Sequence, residues 1–168
     1  MEYKIKKRQY NSKNCFVCGL GNPMGLKTRF YETESGELIA LCTPKLEHQS
    51  YPNRLHGGVS SALLDETIGR AICINYGEMV WGVTLDLHVK FRKPVPYGVM
   101  LKVIGRITKD KGRLFEGSGE LVLPSGEVAV EAHGLYMKQS VEAIAGGDFT
   151  DNEWGFSADE EMPETIEI

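Results

Sequence analysis

Only one stretch of this chain repeats its apolar residues at helical spacing, and most of the chain beyond it alternates with period two. Val59, Ala62, Leu63, Leu64, Ile68, Ala71 and Ile72 lie on one helical face, which predicts an amphipathic helix over 57–75 with Gly77 closing it. From Val80 onward, Val83, Leu85, Leu87, Val89 and Phe91 share one face, while Thr84, Asp86, His88, Lys90 and Arg92 share the other. That segment reads as a long strand with one buried side, ended by Pro94 and Pro96. Strands over 99–108, 113–123 and 127–138 come next, separated by Lys111-Gly112 and Pro124-Ser125-Gly126, and an earlier hairpin pairs 25–31 with 37–43 around Ser35-Gly36. One helix among five to six antiparallel strands restricts the chain to an α+β fold. A curved sheet of this size has only that helix with which to fill its concave face.

A chain of 168 residues suits one domain that buries its own core or shares one by self-association. The patterning divides it into a lead segment (1–24), a body (25–140) and an acidic tail (141–168). From Asp148 to the end there are eight acidic residues and no Lys or Arg, which leaves 15 of the 23 acidic residues against all 19 basic ones. A mildly basic body suits an anionic ligand and equally an ordinary solvated surface. Nucleic-acid binding would need a denser basic stripe with interleaved aromatics. No apolar run approaches the ~20 residues of a spanning helix, and residues 1–8 lack the apolar stretch of a signal peptide. A cytoplasmic location without membrane or nucleic-acid partners is expected. Cys15, Cys18, Cys42 and Cys73 are spaced as reduced thiols, not as a disulfide framework. The tail is expected to be mobile, with Trp154 and Phe156 as candidate anchors.

The richest segment is H-G-G-V-S-S-A-L-L-D, from His56 to Asp65. Gly57 and Gly58 allow a tight turn and a close backbone approach, and the first helical turn offers unpaired N–H groups to an oxyanion. Asp65 adds a carboxylate within the apolar stretch, where it is either paired structurally or held there for chemistry. Glu66 is a rival base. Adjacent helical positions point ~100° apart, so at most one of the two is expected to face a given pocket, and Asp65 lies on the more apolar side. His56, just before the helix, is placed to orient the loop or a ligand. Cys15-x-x-Cys18 has the spacing of half a zinc knuckle, but completing it would require ligands from among Cys42, His48, His56, Cys73, His88 and His133. No metal site is expected. Gly19, Gly21 and Gly25 lack dinucleotide-binding spacing. Gly117-Ser118-Gly119 lies mid-strand and not at a nucleophile elbow, and Ser60 and Ser61 bring no histidine of their own.

Three motifs in order carry a family resemblance: N-C-F-V-C-G-L-G-N-P-M-G-L from Asn14, L-H-G-G-V-S-S-A-L-L-D-E from Leu55, and T-L-D-L-H-V-K-F-R-K-P-V-P from Thr84. Over about 14–137 the chain resembles the hotdog-fold acyl-CoA thioesterases, in the PaaI-like branch of the 4HBT superfamily. The resemblance implies a curved antiparallel sheet around one long central helix, assembled as a homodimer or a dimer of dimers. It also implies hydrolysis of acyl-CoA thioesters with no metal and no cofactor, coenzyme A being part of the substrate. By position, Asp65 matches the catalytic carboxylate, Gly57 the N–H that polarises the thioester carbonyl, and His56 the motif histidine. Thr84 matches a threonine that assists catalysis in some animal relatives. Gly58, Ser50, Asn53 and Glu66 become candidate substrate contacts, Ser50 standing where many PaaI-type enzymes have Asn or Gln. Lys90, Arg92, Lys93 and Arg113, with Lys111, are candidate phosphate contacts. Helix geometry adds a constraint: eight residues at ~1.5 Å each separate Gly57 from Asp65 by ~12 Å. One carbonyl cannot touch both, so two copies are expected to build each site. The alternatives are a non-catalytic acyl-CoA binding protein using the same pocket and, with no matching local motif, a hydratase.

Overall fold

The helix starts at Gly57 because the preceding side chain caps it. His56 is extended (φ −64°, ψ 132°) and its Nδ1 accepts the Gly58 N–H at 2.9 Å, the role more often taken by Ser or Asp. A Cβ on Gly58 would stand 3.0 Å from that ring nitrogen, so the second glycine makes room for the cap. This helix, α1 (Gly57–Arg70), is shorter than the expected 57–75. The Ala71 N–H is shared between the Thr67 and Ile68 carbonyls at 3.2 and 3.1 Å, a tightening toward three-residue spacing that ends the α register. The chain turns once more through α2 (Cys73–Tyr76) and stops at Gly77, whose φ is 73°, a positive value that glycine adopts without strain.

The computed structural model describes residues 1–146, 153–155 and 161–168. Ten strands are found among them: β1 (Glu2–Arg8), β2 (Asn11–Ser12), β3 (Arg29–Thr33), β4 (Leu38–Cys42), β5 (Val80–Phe91), β6 (Leu101–Lys111), β7 (Leu114–Val122), β8 (Val128–Ser140), β9 (Trp154–Gly155) and β10 (Thr165–Glu167). Eight form one antiparallel sheet in the order β10-β1-β3-β4-β6-β7-β8-β5, and β2 pairs with β9. The expected strands β3 to β8 are all present, so the hotdog arrangement of one long helix on a large antiparallel sheet holds, but five to six strands becomes eight. The additional two are β1 and β10, which pair with each other through Tyr3↔Ile166. Their purpose is visible in the burial of β3 and β4. Phe30, Leu38 and Ala40 face the main core, while Tyr31 and Ile39 point the other way and are covered by Tyr3 and Ile166. The chain end, expected to be mobile from its acidic composition, is thus held by one apolar side chain, Ile166, 6% exposed. Phe156 and the Trp154 side chain fall outside the described residues. No described helix is long and apolar enough to cross a membrane.

Helix α1 reaches the sheet through glycines. A Cβ on Gly117 would lie 2.4 Å from Ile68 Cγ2, one on Gly105 2.7 Å from the Thr67 carbonyl, and one on Gly82 2.8 Å from the Gly69 carbonyl. Gly105 pairs with Gly119 and Gly117 with Gly134, so side-chain-free positions run across neighbouring strands beneath the helix. The Gly117-Ser118-Gly119 segment is therefore part of the helix seat. At the far edge, the register of β5 against β8 shifts between Thr84 and Asp86, so Leu85 is the extra residue of a bulge. The simple alternation expected for β5 consequently fails. Thr84 turns inward to α1, Leu87 and Val89 pack on the core beyond the bulge, and Leu85 is 52% exposed.

Candidate active site

Asp65 sits on α1 where β5 and β8 cross it, and two hydroxyls converge on one of its oxygens. Thr84 Oγ1 donates to Asp65 Oδ1 at 2.8 Å and Tyr136 Oη donates to the same atom at 3.2 Å. Thr84 and Tyr136 are register partners across β5 and β8, and the bulge after Thr84 aims its side chain at the helix. Burial, and then the adjacent carboxylate, push the Tyr136 phenol above its ordinary range, so it remains a proton donor to Asp65. The other carboxylate oxygen accepts no hydrogen bond among the described residues. Asp65 borders a cleft of about 400 Å³ whose walls include Cys15, Glu66, Trp81, Thr84 and Ile144. Ile144 belongs to α3 (Val141–Ala145), within the segment read as the acidic tail.

Glu66 lines the same cleft, contrary to the expectation that only one of the adjacent carboxylates would face it; the cleft is wide enough to span both directions. The two differ in partners. Arg70, 2% exposed, donates from Nε to Glu66 at 2.9 Å, from Nη1 to the Tyr10 carbonyl at 3.0 Å and from Nη2 to Cys18 Sγ at 3.1 Å. Its guanidinium lies 4.4 Å from the Phe30 ring centre and 4.7 Å from that of Trp81. Burial opposes its charge, but Glu66 and Cys18 beside it hold Arg70 above its usual range. Glu66 is thus neutralised by a fixed cation, whereas Asp65 is held by neutral hydroxyls. Donor atoms of Cys15, Cys18 and Glu66 lie within 4.8 Å of one another. None of the residues that could complete a zinc knuckle joins this group among those described. His48, for example, is tied by Lys45 N–H at its Nδ1 and by the Met24 carbonyl at its Nε2, and His88 stacks on His133 at 4.8 Å.

The remaining predicted residues lie in three places. Gly57, Gly58 and His56 form the N-terminus of α1, far along the helix from Asp65. The Val59 and Ser60 N–H groups go to the His56 carbonyl at 2.9 and 3.2 Å, which leaves the Gly57 N–H without a partner among the described residues. Phe91, at the end of β5, lies against Gly57, its ring 3.3 Å from where a Cβ would be. Ser50 and Asn53 shape the preceding loop: Ser50 N–H donates to the Arg54 carbonyl at 2.9 Å and Asn53 adopts φ 63°, a conformation Asn tolerates better than most residues. Arg92 is paired with Glu131 at 2.9 Å and Lys93 with Glu127, while Lys90 is exposed. Arg113 stands at the β6–β7 turn, at the opposite end of the sheet, so one copy does not bring the four cations together. Tyr136 and Arg70 are the two site residues that sequence reasoning misses. Tyr136 shares the inward face of β8 with Ala132 and Gly134, and a buried phenol in need of an acceptor is the available signal. Arg70 has none beyond its i,i+4 spacing from Glu66.

Comparison with known proteins shows what this arrangement is similar to. The model of the 4HBT thioesterase superfamily matches residues 53–130, a span that includes α1, Asp65, Thr84 and β5. The acyl-coenzyme A thioesterase THEM4 of Mus musculus is 26% identical over 148 residues, covering 84% of this chain and 61% of its own length. The crystal structure of RHA08564, a thioesterase superfamily protein, superimposes with a TM-score of 0.67 at 26% identity, covering 73% of this chain and 59% of that one. The chain therefore spans about three fifths of each of these two relatives. The Escherichia coli PaaI protein, from the phenylacetic acid degradation operon, shares the fold with a TM-score of 0.61 at 15% identity, covering 68% of this chain and 81% of its own. By sequence model, relatives and fold, the chain is similar to proteins of the 4HBT thioesterase superfamily.

Proposed function

We propose that this protein hydrolyses acyl-CoA thioesters to the free acid and coenzyme A, with Asp65 as the reacting carboxylate. The observation that carries this reading is the Asp65 carboxylate itself, fixed through one oxygen by Thr84 and Tyr136 in a residue that lines the cleft. The naming of THEM4 as an acyl-coenzyme A thioesterase supports the substrate class. Asp65 acts either as general base toward a water or as nucleophile forming a mixed anhydride. Because the Thr84 hydroxyl donates to Asp65, its free lone pairs can accept a hydrogen from an attacking water held between the two side chains. A thioester carbonyl becoming tetrahedral needs N–H donors where the oxyanion forms, and the Gly57 N–H at the head of α1 is suited to that task.

In one copy Gly57 packs beside Phe91 at one end of β5, while Asp65 meets Thr84 toward the other end. β5 is the edge of the sheet and carries exposed Leu85 and Phe91, 52% and 55% accessible. An apolar edge strand of this length invites pairing with a second copy. Antiparallel pairing of β5 with its symmetry mate would carry the partner's helix N-terminus toward Asp65 and make two equivalent sites per dimer. The same pairing brings the Lys90–Lys93 end of one copy toward the Arg113 end of the other, a cradle suited to an anionic CoA chain.

Free-thiol release from a panel of acyl-CoAs, from aryl and short to long chains, tests the reading. Asp65→Asn keeps the volume and the acceptor oxygen, so the expected result is a kcat lower by ~10²–10⁴ with an unchanged melting temperature. Binding of acyl-CoA without turnover by the wild type, or full turnover by the variant, would replace this reading with that of a binding protein.

A further inference from the structure

We propose that Cys15 and Cys18 form a thiol–disulfide exchange site for small-molecule disulfides, with Cys15 as the attacking sulfur and Cys18 as the resolving one. The two sit at either end of one tight turn, closed by the Gly19 N–H donating to the Cys15 carbonyl at 2.8 Å. A Cβ on Gly19 would stand 2.4 Å from that carbonyl oxygen, so the turn requires glycine. The sulfurs lie within 4.8 Å of each other, and because both ride on one turn, side-chain rotation can bring them toward the ~2.0 Å of a disulfide.

Their surroundings are unequal in the way sequential exchange needs. Cys15 is partly exposed on the cleft wall, where a small disulfide can reach it. Cys18 borders the same cleft but is 0% exposed, so a disulfide entering the cleft reaches Cys15 first. Each sulfur receives N–H donors: Val17 N–H reaches Cys15 Sγ at 3.3 Å, and Ser12 N–H and Arg70 Nη2 reach Cys18 Sγ at 3.5 and 3.1 Å, yet the hydrogen bond with Cys15, and then burial, hold the Cys18 thiol well above its usual range, so it is the second of the two to react. The Cys18 thiol beside it pulls Cys15 down to about 7, against the effects of burial and Glu66. Cys42 and Cys73 are buried, and burial pushes both up to about 12, so they do not compete. A metal ion suits the cluster less well: three donors are one short of a closed zinc site, and the Arg70 guanidinium already occupies two of them.

The chemistry balances with the small disulfide as oxidant. The Cys15 thiolate attacks one sulfur of R–S–S–R, forming a mixed disulfide and expelling R–S⁻, which takes up a proton. Cys18, giving up its own proton, attacks the Cys15 sulfur and expels the second R–S⁻. The protein dithiol loses two electrons and two protons, and the small disulfide becomes two thiols. This exchange does not depend on the thioesterase reading and is followed by mass alone.

The test uses the full, reduced chain and oxidised glutathione as probe. The expected wild-type product is two hydrogens lighter, contains a Cys15–Cys18 bond by peptide mapping, and returns to its starting mass with dithiothreitol. Cys18→Ser should stop at one glutathione adduct on Cys15, and Cys15→Ser should form adducts at least about tenfold more slowly. An unchanged wild-type mass, or a Cys15→Ser variant that reacts through Cys18 as fast as Cys18→Ser reacts through Cys15, overturns the proposal.

Discussion

Asp65 receives both of its donors on Oδ1, so the contribution of each can be separated. Tyr136→Phe leaves Thr84 in place and removes one hydrogen bond worth about 1 kcal/mol. The expected outcome is a kcat lower by about fivefold to tenfold with KM little changed, and removing both hydroxyls should cost more than the sum of the single losses. Steady-state kinetics on the two single variants and the double variant measure this directly. Cys15 offers a pH reading. Its lowered value means that the thiolate persists to lower pH than that of an ordinary thiol, so alkylation should reach half its maximal rate near pH 7 and not near 9.0. Cys18→Ala removes the largest cause of the lowering and should move that midpoint upward. Equal midpoints in the two proteins would show that Cys18 does not tune Cys15.

At the scale of elements, helix α1 depends on glycines in two different ways. Those in the sheet make room for it. Gly117→Ala would place a methyl 2.4 Å from Ile68 Cγ2, and overpacking of this kind costs about 1–3 kcal/mol. Urea unfolding should show a lower midpoint at an unchanged slope. Gly57 instead exposes its N–H. Proline is well tolerated at the first helical position because the N–H it lacks has no intrahelical partner, and His56 before it is already extended, as a residue preceding proline must be. Gly57→Pro therefore deletes the proposed oxyanion donor while sparing the helix. Activity should fall by ~10²–10³ with the melting temperature nearly unchanged; retained activity would remove Gly57 from the mechanism.

For the whole molecule the question is whether Asp65 and Gly57 act within one copy or across two. Mixing Asp65→Asn with Gly57→Pro after co-refolding answers it. If sites are shared, each mixed dimer regains one intact site, and the mixture should recover about a quarter of wild-type activity. Sites confined to one copy would recover none. The β5 edge gives a second handle: Leu85→Lys places a charge on the exposed bulge residue and should shift the sedimentation of the protein toward monomer, with loss of activity in parallel.

Much of this architecture is legible in local pattern. The period of α1, the alternation of β3 to β8, the glycine pair after His56 and the carboxylate at Asp65 depend on neighbours within a turn of helix or a few strand positions. Those neighbours are adjacent in sequence, so their physics is written there. β1 and β10 are not legible, because the apolar surface they cover, Tyr31 and Ile39, declares its exposure only once β3 and β4 are in the sheet. Alternation alone puts Thr84 on the wrong face because a bulge is a mismatch between two strands and belongs to neither alone. Tyr136 on Asp65 and Arg70 on Cys18 join residues dozens of positions apart. The helix, most of the strands and the place of a carboxylate at Asp65 can be read from the chain alone, since short-range periodicity and sterics suffice for these. Only the tertiary structure decided which hydroxyls hold that carboxylate, which cation occupies Glu66 and how two cysteines come to line the cleft, because each is a contact made by closing the sheet around the helix.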